Sequence, residues 1–247
     1  MLIAVDCGTS SLAEIATLKD RGIDVIVLDH HEPKAALPDC VAVVNPKAAA
    51  DGAFDYLCSV GIVFKLCHAL LKTRPDSTFD LKANLDLVAL GTVADIVPLE
   101  KENRILVQRG MRELGISKRP GLRKLMEIAA VRLPIAAEDI GFRLGPRLNA
   151  AGRLATAEKA LRLLLTSDEK EAEEFAALLD ALQVARNQTE DVETFFLQDL
   201  DRNDRTPAEE ARWLSSAEHI LQTWGPYLKQ TEEQFSKYGD RIQIVGG

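Results

Sequence analysis

The stretch Val25-Ile26-Val27-Leu28-Asp29-His30-His31-Glu32-Pro33 decides how this chain reads. Four apolar, mostly β-branched residues run directly into charged and imidazole side chains and then a proline, the pattern of a buried strand that stops abruptly. Upstream, Leu2–Val5 is a similar buried run closed by Asp6-Cys7-Gly8; downstream, Val41–Val44 is a third, closed by Asn45-Pro46. Between the first two, residues 11–21 follow a helical pattern, with Ser10 or Ser11 as N-cap and Gly22 as the stop. Strand, helix and strand with short connections predict an α/β protein, a parallel β-sheet with flanking crossover helices. Ligand sites in such sheets lie beyond the carboxyl ends of the strands. Asp6 and the Asp29–His31 cluster both fall there.

Beyond the sheet the pattern turns mostly helical, with helices predicted over 57–72, 82–92, 100–114, 120–129, 156–165 and 168–200. Pro98 follows Asp95-Ile96-Val97, which places Asp95 on a short irregular piece between two helices. The glycine-rich segment 141–153 reads as turns interrupting the helical region. Asp204–Pro207 reads as a linker or helix start, followed by amphipathic helices near 208–223 and 227–237 and a terminal run Arg241–Val245. The expected organisation is a sheet domain with a helical subdomain over 1–165, a long connecting helix over 166–200 and a helical tail over 201–247.

At 247 residues, with 47% hydrophobic and 28% charged side chains, the chain can bury a real core, which excludes a disordered or collagen-like protein. No apolar run approaches the ~18 residues of a membrane span, and the opening residues lack the basic start of a signal peptide. The expectation is a cytoplasmic protein with no membrane association. Cys7, Cys40, Cys58 and Cys67 are irregularly spaced, which argues for core or helix-packing thiols rather than disulfides or a zinc ribbon. The formal net charge is −8, but residues 101–165 carry 14 basic and 6 acidic side chains. A basic middle between acidic ends can make a local anion-attracting face, although ordinary solvated helix faces would give the same count.

Asp6, His30, His31 and Asp95 form the constellation with chemistry. Carboxylate and imidazole ligands suit Mn²⁺, Mg²⁺ or Zn²⁺, ions that activate water against phosphate esters. Adjacent residues on an extended segment point oppositely, so one histidine is expected to ligate while the other meets a substrate oxyanion. Asp29 can orient an imidazole through its second nitrogen. In the 141–153 segment, glycines permit close backbone approach, and Arg143, Arg147, Asn149 and Arg153 offer donors to phosphate, as in an anion nest. A helix connector with solvated arginines is the competing reading. His68 and His219 read as surface or packing residues, Phe54, Tyr56, Phe64 and Phe142 as core, and Trp213 and Trp224 as anchors of the tail helices.

Taken together, VDCG at 5–8, LDHHEP at 28–33, VNPK at 44–47, CSVGIVFKL at 58–66, LGTVADIVPL at 90–99, ENRILVQRG at 102–110 and GFRLGPRLNAAGRL at 141–154 resemble, in order and spacing, one family. It is the RecJ-type single-strand-specific exonucleases of the DHH phosphoesterase superfamily, and the resemblance covers roughly residues 1–190. It implies a two-ion manganese or magnesium phosphodiesterase that digests single-stranded DNA from the 5′ end in bacterial repair and recombination. In that scheme Asp6 bridges the ions, His30 and Asp95 ligate one of them, and His31 faces the scissile phosphate. Arg147, Asn149 and Arg153 fall on the motif that contacts DNA phosphates.

Two departures qualify the resemblance. The family's first motif, an Asp-x-Asp-Gly segment on an earlier strand, has no counterpart here, because the sequence opens on the strand carrying Asp6. Impaired hydrolysis is therefore expected, as is self-association or pairing with a complementary chain through an uncovered sheet. From about residue 192 the resemblance ends. Two alternatives follow: a non-catalytic module that binds single strands, and a phosphodiesterase of small phosphoesters or short oligonucleotides.

Overall fold

Val25–Leu28 is apolar at every position because it is the middle strand of a parallel sheet, covered on both faces. The computed structural model describes residues 1–34, 36–49, 52–75, 78–154 and 157–199, with side chains described for these except at 151–154, 185 and 188–199. The predicted tail over 201–247, with His219, Trp213 and Trp224, lies outside them, as does the Arg153 side chain. Residues Met1–Gln183 form one compact unit; the chain from Val184 belongs to a second, described only along the end of a helix.

The sheet has the order β1 (Leu2–Val5), β2 (Val25–Leu28), β3 (Ala42–Val44), all parallel. Leu2 pairs with Val25 and Val5 with Leu28, so β1 and β2 end level; Leu28 pairs with Val44. Helix α1 (Leu12–Asp20) makes the first crossover and buries Ile15 against Val25 and Val27. Ser11 stands at its N-cap without a side-chain bond. The connection from β2 to β3 contains no helix among the described residues. Pro33 and Pro38 punctuate that short segment and leave no room for uninterrupted helical turns. Against expectation, β1 is not buried: Leu2, Ile3 and Val5 are 39–49% exposed. It is the edge strand and pairs only with β2 among the described residues.

Helix α2 (Ser59–Thr73) packs on the other side of β2, where Leu57 and Ile62 meet Leu28. Helix α3 (Leu85–Ala94) is buried nearly all round, as its unbroken apolar sequence requires, and packs along α4 (Lys101–Gly115). Asp86, the one charge buried in α3, is satisfied by the Ser117 hydroxyl at 2.8 Å and Arg119 Nε at 3.2 Å. Helices α5 (Pro120–Ile128), α6 (Ala137–Asp139), α7 (Gly145–Leu154), α8 (Glu158–Leu165) and α9 (Glu169–Asp199) complete the helical region. Leu90, Leu114, Leu122, Leu125, Ile140, Leu144, Leu163 and Leu179 form its main core. No helix among the described residues is long and apolar enough to cross a membrane.

The segment expected to be turns is helical. Ile140–Leu144 is a π-helical turn that leads directly into α7. Gly145 serves packing: a Cβ there would lie 3.0 Å from the Ile140 carbonyl oxygen and 3.3 Å from Ala94 Cβ. The segment therefore docks on the last turn of α3. Phe142, expected in the core, is 81% exposed, because the π turn directs Ile140 and Leu144 inward instead. Phe54 is also exposed, with Lys65 Nζ 4.5 Å from its ring centroid, while Tyr56 is buried and Phe64 partly buried. The cysteines are all free; Cys58 is buried, Cys40 and Cys67 partly so, and Cys7, in the turn after β1, is exposed rather than in the core.

Candidate metal centre

Three chain segments converge at the carboxyl ends of β1 and β2. Asp6 directly follows β1, and its N–H donates to the Leu28 carbonyl at 2.9 Å, extending the ladder by one residue. Its φ of 64° turns the chain sharply out of the sheet. Gly8 completes that turn with φ 110°, and a Cβ there would sit 3.1 Å from both Val27 methyls. Conformation and space both demand glycine.

After Leu28, the Asp29 carboxylate folds the next two residues back on itself. It accepts from His30 N–H at 2.8 Å, His31 N–H at 3.3 Å and Thr9 N–H at 3.0 Å. His31 Nδ1 lies 2.7 Å from Asp29 Oδ1. An ionised carboxylate only accepts, so Nδ1 carries the hydrogen and Nε2 is left open toward solvent. Burial alone would push the Asp29 carboxyl up, but the hydrogen bonds from Thr9 and His31 outweigh it and hold it well below the usual carboxylate range.

This fold-back corrects the expectation that the two histidines point oppositely. Their ring centroids are 4.6 Å apart, because the segment is a bend and not an extended strand. Asp6, His30 and His31 offer ligand atoms that lie within 4.8 Å of one another.

Asp95 arrives from the helical region. It caps the C-terminus of α3, donating its N–H to Gly91 O at 2.9 Å, and Ile96 then takes φ 56°. Buried His30 places Nε2 3.3 Å from Asp6 Oδ1 and 3.3 Å from Asp95 Oδ2. Burial raises the Asp95 carboxyl above its ordinary value; the His30 imidazole counteracts this, and the Asp6 carboxylate adds to it. Cys58, at the N-cap of α2, is likewise pushed up by burial, with its Sγ 3.6 Å from Thr92 Oγ1.

The donor set fits a hard divalent cation. His30 Nε2 stands 3.3 Å from an oxygen of each carboxylate, and ligands at right angles on an ion with ~2.1 Å bonds stand about 3 Å apart.

The arginine-rich segment is arranged differently from an anion nest. Arg147 donates through Nε to Asp180 Oδ1 at 2.8 Å and through Nη1 to Arg143 O at 2.7 Å. Arg143 Nη1 donates to Ala130 O at 2.8 Å. Asn149 is exposed on α7. As a helix, this segment has its backbone N–H groups committed internally, so its anion-binding capacity resides in side chains.

Three residues with structural weight at the site escaped sequence reading. Thr9 and Asn45 are buried polar groups against the Asp29–His31 bend, and Asn103 is fully buried beneath the Asp95 loop. Its amide donates to Tyr56 O at 2.6 Å and Pro98 O at 3.0 Å. The only local signal was a polar residue set among apolar neighbours at a strand or helix end.

Residues 1–92 match the DHH family, N-terminal domain. Over these residues the chain is similar to that domain. The resemblance continues beyond it: the chain is 43% identical over 188 residues to the single-stranded-DNA-specific exonuclease RecJ of Bacillus subtilis, covering 75% of this chain and 23% of that protein. The Escherichia coli RecJ is 43% identical over 202 residues, covering 77% and 35%. Among solved structures, an exonuclease RecJ bound to manganese superposes with a TM-score of 0.71 at 36% identity, covering 79% of this chain and 50% of that one. RecJ from Thermus thermophilus in complex with Mn²⁺ gives 0.70 at 33% identity, covering 90% and 34%. The fold is thus that of the RecJ DHH region. The chain spans between about a quarter and a third of the curated RecJ proteins it matches.

Proposed function

We propose that Asp6, His30 and Asp95 hold a Mn²⁺ or Mg²⁺ ion and that the chain is a RecJ-like nuclease core hydrolysing phosphodiesters of single-stranded DNA from the 5′ end. The observation that carries this reading is His30 Nε2 standing 3.3 Å from both carboxylates. The manganese- and magnesium-bound RecJ structures with the same fold support the choice of ion. A bound ion would polarise a phosphoryl oxygen and activate a water.

The chain's own side chains do the rest. Asp29 fixes His31 with Nε2 outward, where it can donate to or accept from a non-bridging phosphate oxygen or the attacking water. Asn149, exposed on α7, and Arg143 contact phosphates along the strand. Arg147 joins them by exchanging Asp180 for a phosphate, and from the sequence motif alone we assign Arg153 a phosphate contact as well.

The described residues supply ligands chiefly for one ion, whereas two-ion hydrolysis needs a second set. Hydrolysis by this chain alone is accordingly weak, and the same ligand count favours a second reading, a single-strand-binding module whose affinity falls with salt. The exposed edge of β1 is where a second copy or a complementary chain would pair.

The deciding experiment measures Mn²⁺ binding and nucleotide release from 5′-phosphorylated single-stranded DNA for the wild type, Asp6→Ala and Asp95→Ala. Metal binding lost in both variants supports the centre. Full activity in either variant refutes it. Salt-sensitive DNA binding without release selects the second reading.

A further inference from the structure

We infer that Asn45 is a positioning residue for His31, closing a ring of hydrogen bonds that ties together the three loops at the carboxyl ends of the sheet. The inference rests on the reading of His31 as the group that faces the phosphate. Asn45 follows β3 and is 6% exposed. Its Nδ2 has two hydrogens and uses both: one donates to Thr9 Oγ1 at 2.9 Å, the other to His31 O at 2.9 Å.

Thr9 passes the connection on, since its N–H donates to the Asp29 carboxylate at 3.0 Å. Asp29 in turn holds His31 Nδ1. The circuit runs from Asn45 to Thr9 to Asp29 to His31 and back to Asn45, with one member or more from each strand-end loop. His31 is thereby gripped at two points, its imidazole by Asp29 and its carbonyl by Asn45, which leaves Nε2 as its free group. Second partners of this kind set ring orientation.

A simpler role for Asn45 is capping, because its Oδ1 accepts from Lys47 N–H at 2.9 Å and starts the 3-10 turn Pro46–Ala48. The two roles use different atoms, so they separate experimentally. Asn45→Asp keeps the cap acceptor and volume but turns an acceptor toward His31 O and Thr9 Oγ1. Thr9→Val breaks the ring at its second member, and Thr9→Ser retains the hydroxyl.

The test uses the full chain labelled with ¹⁵N-histidine, following the His31 Nδ1–H resonance, assigned by its loss in His31→Asn, together with titration of Mn²⁺ alone. In Asn45→Asp and Thr9→Val the resonance should broaden into solvent exchange, and Mn²⁺ affinity should fall about tenfold, because Asp29, a member of the ring, also holds the N–H of the ligand His30. Thr9→Ser should keep both within about twofold, a rescue that loss of general stability would not produce. An Asn45→Asp chain with wild-type resonance and Mn²⁺ affinity overturns the inference. If that variant does not fold, the Thr9 pair decides alone, and equal behaviour of Thr9→Val and Thr9→Ser overturns it. Wild-type Mn²⁺ binding that ignores Asp6→Ala and Asp95→Ala would instead sink the metal reading, leaving the Asn45 assignment to stand or fall on the resonance.

Discussion

The His31 imidazole is locked to the Asp29 carboxylate, with Nδ1 and Oδ1 2.7 Å apart. The Asp29 side chain is 2% exposed, so a buried anion is held by the N–H donors of Thr9, His30 and His31. Its folded-state pKa is depressed, which makes its contribution to stability present above the unfolded value of about 3.9 and lost as pH falls toward the folded one. Urea midpoints should therefore drop steeply below about pH 4. Asp29→Asn should cost about 2–3 kcal/mol at pH 7 and flatten that acid limb.

Ligand linkage gives a second test. Mn²⁺ at a hundred times its Kd should stabilise the chain by about 2.7 kcal/mol, seen as a rise in Tm that EDTA reverses. His30→Ala, which removes the nitrogen between Asp6 and Asp95, should abolish the rise.

Much of the sheet and of this centre was legible in the sequence, and the reasons are local. Leu2–Val5 and Val25–Leu28 are apolar runs ended by residues that cannot continue a strand, so strand ends and the positions of Asp6 and Asp29–His31 followed directly. Asp95 was placed by Pro98. What could not be read depends on which partner each side chain takes, near or distant in the chain. Asp29 bonds the backbone of its own successors, and that bend, invisible to alternation rules, brings the histidine rings side by side. Gly141 and Gly145 suggest turns by composition, yet Gly145 is there because α3 packs close. Arg147 read as a free cation until Asp180, 33 residues later, came to meet it.

Asn103 offers a test of how the Asp95 loop is held. Asn103→Leu leaves the Tyr56 and Pro98 carbonyls without their buried donor, and should cost about 2–4 kcal/mol in denaturant unfolding. The same variant should weaken Mn²⁺ binding, since Pro98 lies three residues beyond Asp95.

The edge of β1 predicts behaviour in solution. Ile3 is 49% exposed on a strand with one unpaired side among the described residues. If β1 pairs as proposed, Ile3→Lys should lower the self-associated fraction by light scattering while changing the unfolding midpoint little.

The π turn at Ile140–Leu144 holds one residue more than an α-helical turn would. That surplus sets the angular phase of everything C-terminal to it on α7. Deleting a single residue here would rewind α7 by about 100° about its own axis, swinging Arg147 off Asp180 and carrying Asn149 to a different compass bearing. The register of the Arg147 and Asn149 side chains is thus written in one extra peptide unit, and chain length in this short segment is constrained far more tightly than its composition.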